Sequence, residues 1–237
     1  MVGISPSQRT VGGSSTTLNM QDVTAATCPM TPTVATDVRD GEQYTIVKFD
    51  DGNCWMTQNL RYQGDTVGST STTTSWVMKS ATSNISEDTT MTMADLTAGN
   101  SYDVAEYHVA TSDQVPSGAS YTAEDMGVWY NYAAASAMTI TGSSNENPQT
   151  YDICPKGWRL PTNSEQSGIT SYSSAYSPVA GGTYYSGTLG GSTGNGYWWS
   201  STSGGMAARY YLYWNGSSLI TGNAGLFSGF YVRCILN

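Results

Sequence analysis

The sequence predicts an α+β fold with mixed short strands, two short helices and long loops. Alternating and aromatic segments indicate the strands, a helix-starting motif at Thr162 indicates one helix, and stretches rich in Ser, Thr and Gly indicate the loops. A chain of 237 residues, 38% of them hydrophobic, can bury a substantial core. We therefore expect a single domain over residues 28–237, after a loosely ordered linker or stalk over residues 1–27.

The N-terminal half predicts one hairpin followed by long loops. Residues 44–49 alternate between two faces and precede Asp51-Gly52, a pair typical of the turn of a β-hairpin. Residues 64–104 are rich in Thr and Ser and have few apolar anchors, so we expect loops or insertions there. Met91, Met93 and Leu96 would mark a short helix within them.

Two further segments in the middle of the chain indicate helices. An aromatic strand over residues 128–132 runs into the small residues 133–138, which predict a closely packed helix or turn. Thr162 and Glu165 stand three residues apart directly after Pro161, which is the spacing of a capping box. Gly168 limits how far that helix runs.

The final third predicts three short strands with exposed loops between them, over residues 197–201, 210–214 and 230–235. Residues 196–237 hold ten of the chain's 27 aromatic residues, which are 17 Tyr, 7 Trp and 3 Phe. Tyrosine among Ser, Gly and Asn is typical of binding surfaces, because its ring offers a large contact area and a polar tip at a low entropy cost. We therefore expect this segment to carry a ligand-binding face.

Composition and charge exclude other classes of function. The net charge of -9 and the scattered lysines and arginines argue against nucleic-acid binding, which depends on basic side chains. No apolar run approaches the about 20 residues that span a bilayer. Charged residues make up only 11% of the chain, which suits an extracellular or cell-surface location. A leader or anchor would then lie outside this sequence.

The four cysteines favour disulfides over a metal site. Cys28, Cys54, Cys154 and Cys234 have no CxxC or Cys/His spacing. The sequence alone permits three disulfide pairings of the four cysteines, and nesting favours Cys28–Cys54 and Cys154–Cys234. The alternative is that no disulfide forms and all four are buried thiols.

Four ordered blocks of the chain resemble a known family. They are the segment from Asp40-Gly41 to the run Cys54-Trp55-Met56-Thr57-Gln58-Asn59-Leu60, the run from Cys154 to Thr162, the run from Gly196 to Thr202, and Val232-Arg233-Cys234. Together they span roughly residues 37–237 and resemble the Fibrobacter succinogenes major paralogous domain. This resemblance implies a C-type-lectin-like fold of the formylglycine-generating-enzyme-type branch. Many members of the family are variable proteins of diversity-generating retroelements, in which an adenine-directed reverse transcriptase rewrites codons near the 3′ end of the gene.

The resemblance also implies which residues would bind a ligand. Residues 197–202 and 232–234 would form a constant frame, with Trp198, Trp199 and Val232 buried, inside a variable-type segment of about residues 196–237. The candidate ligand-binding residues are Ser203, Gly205, Met206, Arg209, Tyr211, Tyr213, Trp214, Asn215, Ser217, Leu226 and Phe227. The Glu-Pro-Asn and Trp-Asn-Asp motifs of sugar-binding C-type lectins are absent, so calcium-dependent sugar coordination is not implied.

The chemistry-bearing residues do not predict a catalytic centre. Residues 196–237 contain no Asp, Glu, Lys or His. His108 is expected to be a surface or loop histidine, and Arg159 and Arg233 are expected to form buried ion pairs or bonds to carbonyl groups. The acidic pairs are best explained as solvated turns, although they could hold a structural calcium ion. They are Asp50-Asp51, Glu87-Asp88 and Glu124-Asp125.

The sequence therefore predicts a non-enzymatic, cofactor-free surface protein that binds a protein or glycan on another cell or virus surface. One alternative is a fixed-sequence cell-envelope or adhesive protein of the same fold. A formylglycine-generating-type oxidase is the least favoured alternative, because it would need reactive cysteines in a cleft.

Overall fold

The structure is a computed structural model that describes residues 17–69, 73–96, 103–141, 149, 151–169, 176, 178–185, 187–191 and 194–236. The strands are β1 (Thr33–Thr36), β2 (Gln43–Lys48), β3 (Cys54–Met56), β4 (Asp65–Ser69), β5 (Thr73–Met78), β6 (Thr89–Asp95), β7 (Ala105–Val109), β8 (Val128–Tyr130), β9 (Gly181–Tyr185), β10 (Thr188–Gly190), β11 (Asn195–Ser203), β12 (Ala208–Trp214), β13 (Leu219–Gly225) and β14 (Ile235–Leu236). The α-helices are α1 (Ala123–Met126), α2 (Tyr132–Ala135) and α3 (Asn163–Ile169), and single 3-10 turns cover Met20–Asp22 and Ser112–Gln114.

These strands form three sheets, which confirms the α+β class. The first sheet has the order β1-β2-β3-β14 and is antiparallel throughout. The second has the order β4-β5-β6-β7-β8, with β6 and β7 parallel. The third has the order β10-β9-β11-β12-β13, with β9 and β11 parallel.

The C-terminal segment joins the three sheets. Gly229 bridges to β9, Phe230 to β8 and Tyr231 to β11, and β14 then pairs with β3. The sequence predicted one continuous strand over residues 230–235, whereas the structure divides that segment between single bridges and the two-residue β14. A segment that changes partner at nearly every residue cannot be read from periodicity, because its neighbours are distant in sequence.

The packed part of the chain begins ahead of the boundary predicted at Cys28. Met20 is fully buried in the same apolar cluster as Cys28, and its carbonyl accepts a 2.8 Å hydrogen bond from Nε1 of Trp158. Asn19 forms a bridge with Thr36 on β1. Residues 17–27 are therefore part of the domain rather than a linker, and residues 1–16 lie outside the described residues.

The prediction of loops and a short helix in residues 64–104 is wrong where the structure describes that region. It forms β4, β5 and β6, which pair antiparallel. Met91 and Met93 are buried, whereas Thr90 and Thr92 between them are exposed, which is the period of a strand. Threonine is β-branched and favours strands, so a Thr-rich stretch with apolar residues at alternate positions indicates a sheet.

Several local predictions are confirmed. Strands β2 and β3 pair across the turn at Asp51-Gly52, and Gly52 has the positive φ of 87° that favours glycine there. Helix α3 starts at the predicted capping box, in which Glu165 accepts from the Thr162 backbone at 2.7 Å and Thr162 accepts from the Glu165 backbone at 3.3 Å.

The two disulfides join the cysteines as nesting predicted. Cys28 bonds to Cys54 within the N-terminal part, and Cys154 bonds to Cys234, which ties the segment before α3 to the C-terminus. All four cysteines are therefore oxidised. Among the helices that the structure describes, none is long and apolar enough to cross a membrane.

Candidate ligand-binding face

Three tyrosines lie side by side on one face of the third sheet. Tyr197 on β11 is directly opposite Tyr213 on β12, and the neighbouring pair is Trp199 and Tyr211. The rings of Tyr197 and Tyr213 stack at 4.8 Å, and Tyr211 lies 5.6 Å from Tyr197 in an edge-on arrangement. On β13, Ile220 is directly opposite Tyr213 and is 47% exposed. We call Tyr197, Tyr211, Tyr213 and Ile220 the tyrosine patch.

The tyrosine patch rests on buried aromatic and glycine residues. Phe230 stacks beneath Tyr197 at 5.1 Å, and the ring of Trp199 packs against Phe230 at 4.4 Å. Gly222 is opposite Tyr211 on β13, and a Cβ there would lie 2.7 Å from the hydroxyl oxygen of Tyr211. The absence of a side chain at Gly222 therefore lets the Tyr211 ring lie across the sheet.

The patch presents neutral hydroxyl groups. Burial raises the pKa of the Tyr197 phenol to about 12, and the neighbouring phenols of Tyr213 and Tyr211 raise it further. Burial likewise raises the pKa of Tyr211. The Tyr213 hydroxyl donates to Oδ1 of Asn195 at 3.0 Å, which orients its ring. These half-buried rings combine apolar area with groups that can both donate and accept hydrogen bonds.

The opposite face of the third sheet is covered by α3. Trp198, Leu212 and Leu219 are buried there in one cluster with Ile169 of α3. Gln166 of α3 donates from Nε2 to the carbonyl of Trp199 at 2.9 Å. Trp214 packs against this cluster, so it lies on the other side of the sheet from Tyr213. The predicted binding residues Tyr213 and Trp214 therefore cannot contact one ligand across a single face.

The remaining polar candidates fall in two turns at opposite ends of β12. Ser203 is the last residue of β11, and Gly205 and Met206 belong to the turn that follows it, where Met206 is 72% exposed. Asn215 and Ser217 belong to the turn between β12 and β13. Seven strand residues separate the two turns, a distance of roughly 20 Å. Only Tyr211 and Tyr213, among the predicted binding residues, lie in the tyrosine patch.

Two predicted binding residues are buried and are not accessible to a ligand. Arg209 has an exposure of 0%; its guanidinium donates to Oγ of Ser203 at 3.1 Å and lies 5.1 Å from the ring centre of Tyr132. Leu226 is 2% exposed and belongs to the core. Alternation along β12 places Arg209 on the same sheet face as Tyr211, but its guanidinium lies against the buried ring of Tyr132. Phe227 is half-buried, with its ring 5.4 Å from that of Tyr185.

The three frame residues expected to be buried are buried, whereas Tyr197, Ser201 and Thr202 of the same frame are half-buried. Trp198, Trp199 and Val232 each have an exposure of 0%. Arg233 donates from Nε to Oδ1 of Asn59 at 2.8 Å and also donates to the carbonyl of Tyr176. Arg159 forms an ion pair of 2.6 Å with Glu165. Arg233 therefore has the buried structural role that the sequence predicted, whereas the ion pair of Arg159 is only half-buried.

Asn59 and Gln166 are structural residues that the sequence analysis did not identify. Asn59 accepts from both Arg233 and Trp198, and Gln166 bonds to the carbonyls of Trp198 and Trp199. The sequence carries a faint signal for both, since Asn59 lies within the first family-like block and Gln166 follows the capping box directly.

His108, which was expected at the surface or in a loop, lies in strand β7 and is half-buried. Its ring stacks on Tyr184 at 3.8 Å, and Nδ1 lies 3.1 Å from Oδ1 of Asp95. Its other ring nitrogen lies 3.0 Å from Nε2 of Gln114, so both ring nitrogens have neighbours within the fold. The histidine is half-buried and serves to join β7 to its surroundings.

The acidic pairs are engaged in turns and caps. Asp51 accepts from Nε1 of Trp55 at 3.0 Å, Asp88 lies 3.1 Å from Nζ of Lys79, and Asp125 accepts from the Thr122 backbone at 2.8 Å in a capping box. Within the described ranges, no group of three or more His, Cys, Asp or Glu side chains is arranged to hold a metal ion. The structural calcium ion stays a prediction.

A polar groove that no residue of the tyrosine patch lines lies beside β2 and α1. It has a volume of about 450 Å³ and is lined by Asp40, Glu42, Arg61 and Glu124, among others. Burial raises the pKa of Asp40 to about 6. Arg61 is paired with Glu42 at 2.7 Å, so the groove's one arginine is already neutralised. None of the predicted ligand-binding residues lines it.

The fold and the site together define a class: a sheet-rich α+β protein with two disulfides and an uncharged aromatic patch on one sheet face. No protein-family model, curated protein or solved structure matches the chain.

Proposed function

We propose that this chain is a ligand-binding protein and that the tyrosine patch is its contact surface for a protein or glycan. One observation carries the proposal: three half-buried tyrosine rings lie together on a sheet face next to the exposed Ile220. Rings that are already stacked lose little conformational freedom when a ligand binds. The proposal assigns no catalytic step to the chain.

The same patch suits two kinds of ligand. Stacked phenols can pack against the apolar face of a sugar ring, and their hydroxyls can bond to its hydroxyl groups. A protein ligand would place aliphatic or aromatic side chains against Tyr211 and Ile220, with the hydroxyl of Tyr197 at the rim. The overall charge of -9 favours neutral or basic partners over acidic ones.

The finer identity is also a proposal. The order of the family-like blocks supports a C-type-lectin-like fold and a variable protein of a diversity-generating retroelement, and two disulfides are compatible with an extracellular or cell-surface location. In such a protein the exposed positions Gly205, Met206, Asn215 and Ser217 and the half-buried Ser203 would tolerate variation. The buried positions Arg209 and Leu226 would belong to the frame instead.

A fixed-sequence cell-envelope protein is the second candidate. Gly222 and Gly225 support this candidate, because they lie directly beneath the rings of Tyr211 and Phe227. A side chain at either position would meet the ring above it, so these positions cannot vary freely. The gene neighbourhood separates the two candidates. A near-identical repeat that differs from the 3′ end of the gene only at adenines, beside a reverse-transcriptase gene, supports the variable protein, and its absence supports the fixed one.

Binding to defined probes tests the patch itself. The purified full chain is applied to an array of immobilised glycans and to a displayed peptide library, and Kd is measured for the probes it retains. Tyr213→Ala should weaken binding by about tenfold or more, as expected for an aromatic residue central to a contact. Tyr210→Ala is the matched control, because Tyr210 lies on the same strand and points to the opposite face.

The outcome is decisive in either direction. Binding that Tyr213→Ala weakens and Tyr210→Ala leaves within about twofold supports the proposal. If neither probe set is bound, or if both variants lose binding equally, the tyrosine patch is not the contact surface.

A further inference from the structure

Among the described residues, strand β13 is the outer strand of the third sheet and pairs on one side only. Its neighbour is β12, and the sheet order ends there. Backbone hydrogen bonds from Leu226 to Ala207 and from Asn215 to Ser218 fix which residues of β13 bond to β12. In an antiparallel ladder these bonding pairs alternate, so Ile220, Gly222 and Ala224 point their backbone groups towards β12.

The backbone groups of the intervening residues point away from the sheet. These residues are Leu219, Thr221 and Asn223, each with one N–H and one C=O on the outer side. In the part of the chain that the structure describes, no hydrogen bond reaches these groups. The outer side of β13 is therefore a row of donors and acceptors at the spacing of a strand.

Proteins protect such an edge by several means, and β13 lacks three of them. Its sequence, Leu-Ile-Thr-Gly-Asn-Ala-Gly, contains no charged residue and no proline. It pairs with β12 over seven consecutive positions without a bulge. Charges, prolines and bulges are among the means by which natural edge strands avoid pairing with another chain, as is a covering helix or loop. An edge that lacks all three is suited to accept a further strand.

We infer that β13 pairs with β13 of a second copy of this chain, antiparallel and about a two-fold axis at Thr221. In this register Thr221 lies opposite the partner's Thr221, and Leu219 lies opposite the partner's Asn223. All three outward-pointing residues of each copy then form ladder hydrogen bonds with the other copy. The two third sheets become one continuous sheet across the interface.

The side chains on the tyrosine-patch face support a second copy as the occupant. The same register places Ile220 opposite the partner's Gly222, and the symmetric contact is made in return. Ile220 is 47% exposed, whereas Gly222 offers only the Tyr211 ring above its backbone. The exposed isoleucine of each copy thus meets the Tyr211 ring that covers Gly222 of the other copy, and a contact made twice in this way is the self-complementarity that a two-fold interface requires.

No exposed charged side chain of β12 or β13 opposes the contact between the two copies. Each copy carries a net charge of -9, but β13 has no charged side chain and the one charged residue of β12, Arg209, is buried. Charges further away are screened over a Debye length of about 8 Å at physiological ionic strength. The interface would also align the two tyrosine patches side by side, although the inference does not rest on their function.

Sedimentation equilibrium of the full chain tests the pairing, with Thr221→Pro as the disrupting variant. Proline removes the outward N–H of Thr221 and leaves every bond to β12 in place. We expect the wild-type chain to dimerise in the micromolar range, Thr221→Pro to be monomeric with an unchanged near-ultraviolet CD spectrum, and Thr221→Val to dimerise like the wild type. A monomeric wild type, or a dimer that survives Thr221→Pro, would overturn the inference.

A disulfide across the two-fold axis provides a measurement that does not depend on proline. Facing residues of a hydrogen-bonded antiparallel pair have Cα atoms about 5.5 Å apart, within the range for a disulfide. All four native cysteines are bonded, so the thiol of Thr221→Cys is the only one added. It should form a covalent dimer on mild oxidation, whereas Ser217→Cys in the neighbouring turn should not. Equal cross-linking of both variants would contradict the register.

Discussion

Oδ1 of Asn59 accepts a 2.8 Å hydrogen bond from Nε of Arg233, although 174 residues separate the two in sequence. The same oxygen accepts a 2.7 Å bond from Nε1 of Trp198, and the Asn59 amide donates to the carbonyl of Met126 at 2.8 Å. Asn59 is fully buried, so one amide satisfies groups from the second half of the chain and from α1.

Replacing Asn59 should strongly destabilise the fold. Asn59→Ala leaves a buried guanidinium and a buried indole without this acceptor, and we expect the free energy of unfolding to fall by about 3 kcal/mol. Urea denaturation followed by tryptophan fluorescence measures the change. Gln63→Ala, at an exposed position four residues later, is the control and should change it by less than about 0.5 kcal/mol. A similar effect of both substitutions would show that Asn59 does not link these segments.

The two disulfides should contribute unequally to stability. Cys154–Cys234 spans 80 residues and Cys28–Cys54 spans 26. In the chain-entropy account the longer loop contributes about 4.5 kcal/mol and the shorter about 3.5 kcal/mol. The double variant Cys154→Ser/Cys234→Ser should therefore unfold at a lower urea concentration than Cys28→Ser/Cys54→Ser. Thiol labelling of each variant under denaturing conditions verifies that the other disulfide is intact, and the reverse order of stability would contradict this account.

Asp152 should make the stability of the protein depend on pH between about 4 and about 6. Burial raises the pKa of its carboxyl from 3.8 to about 6. The backbone N–H groups of Leu160 and Cys154 donate to the carboxylate and act in the opposite direction, lowering this pKa. In this window the folded state binds the proton more tightly than the unfolded state does. The contribution of Asp152 to the free energy of unfolding therefore falls as the pH rises.

Comparison with Asp152→Asn isolates that contribution. The difference between the unfolding profiles of wild type and variant should change by up to roughly 3 kcal/mol between these pH values, and stay level above and below them. Chemical denaturation at a series of pH values provides both profiles. Parallel profiles across the window would mean that the Asp152 carboxyl titrates alike in the folded and unfolded chains.

The local elements of this fold could be predicted from sequence because each has a short-range physical cause. The capping box at Thr162 and Glu165 places the start of α3, and Asp51-Gly52 places the turn between β2 and β3. The nested disulfides followed from the order of the cysteines. What failed in residues 64–104 was the interpretation of threonine as a loop residue, when its alternation with Met91 and Met93 indicated β6.

The site was predicted only in part, because exposure depends on partners that are distant in sequence. Composition pointed to Tyr211 and Tyr213, and both lie in the tyrosine patch. The expectation that Arg209 and Leu226 are accessible failed, because the paths of residues 203–209 and 226–230 over the sheet cannot be read from the chain. Trp214 was placed with Tyr213 by proximity in sequence, yet neighbouring strand residues point to opposite faces.

Alanine substitutions should show that Trp199 supports the tyrosine patch from within the core, whereas Tyr213 forms part of its surface. Trp199 is fully buried, and its Nε1 donates to the carbonyl of Tyr130 at 2.8 Å, so Trp199→Ala should lower the free energy of unfolding by about 3–5 kcal/mol. Tyr213 is half-buried and keeps one side in solvent, so Tyr213→Ala should cost only about 1 kcal/mol. Thermal unfolding followed by CD compares them. A loss for Tyr213→Ala as large as that for Trp199→Ala would make Tyr213 a core residue, and the tyrosine patch would then lack its central contact.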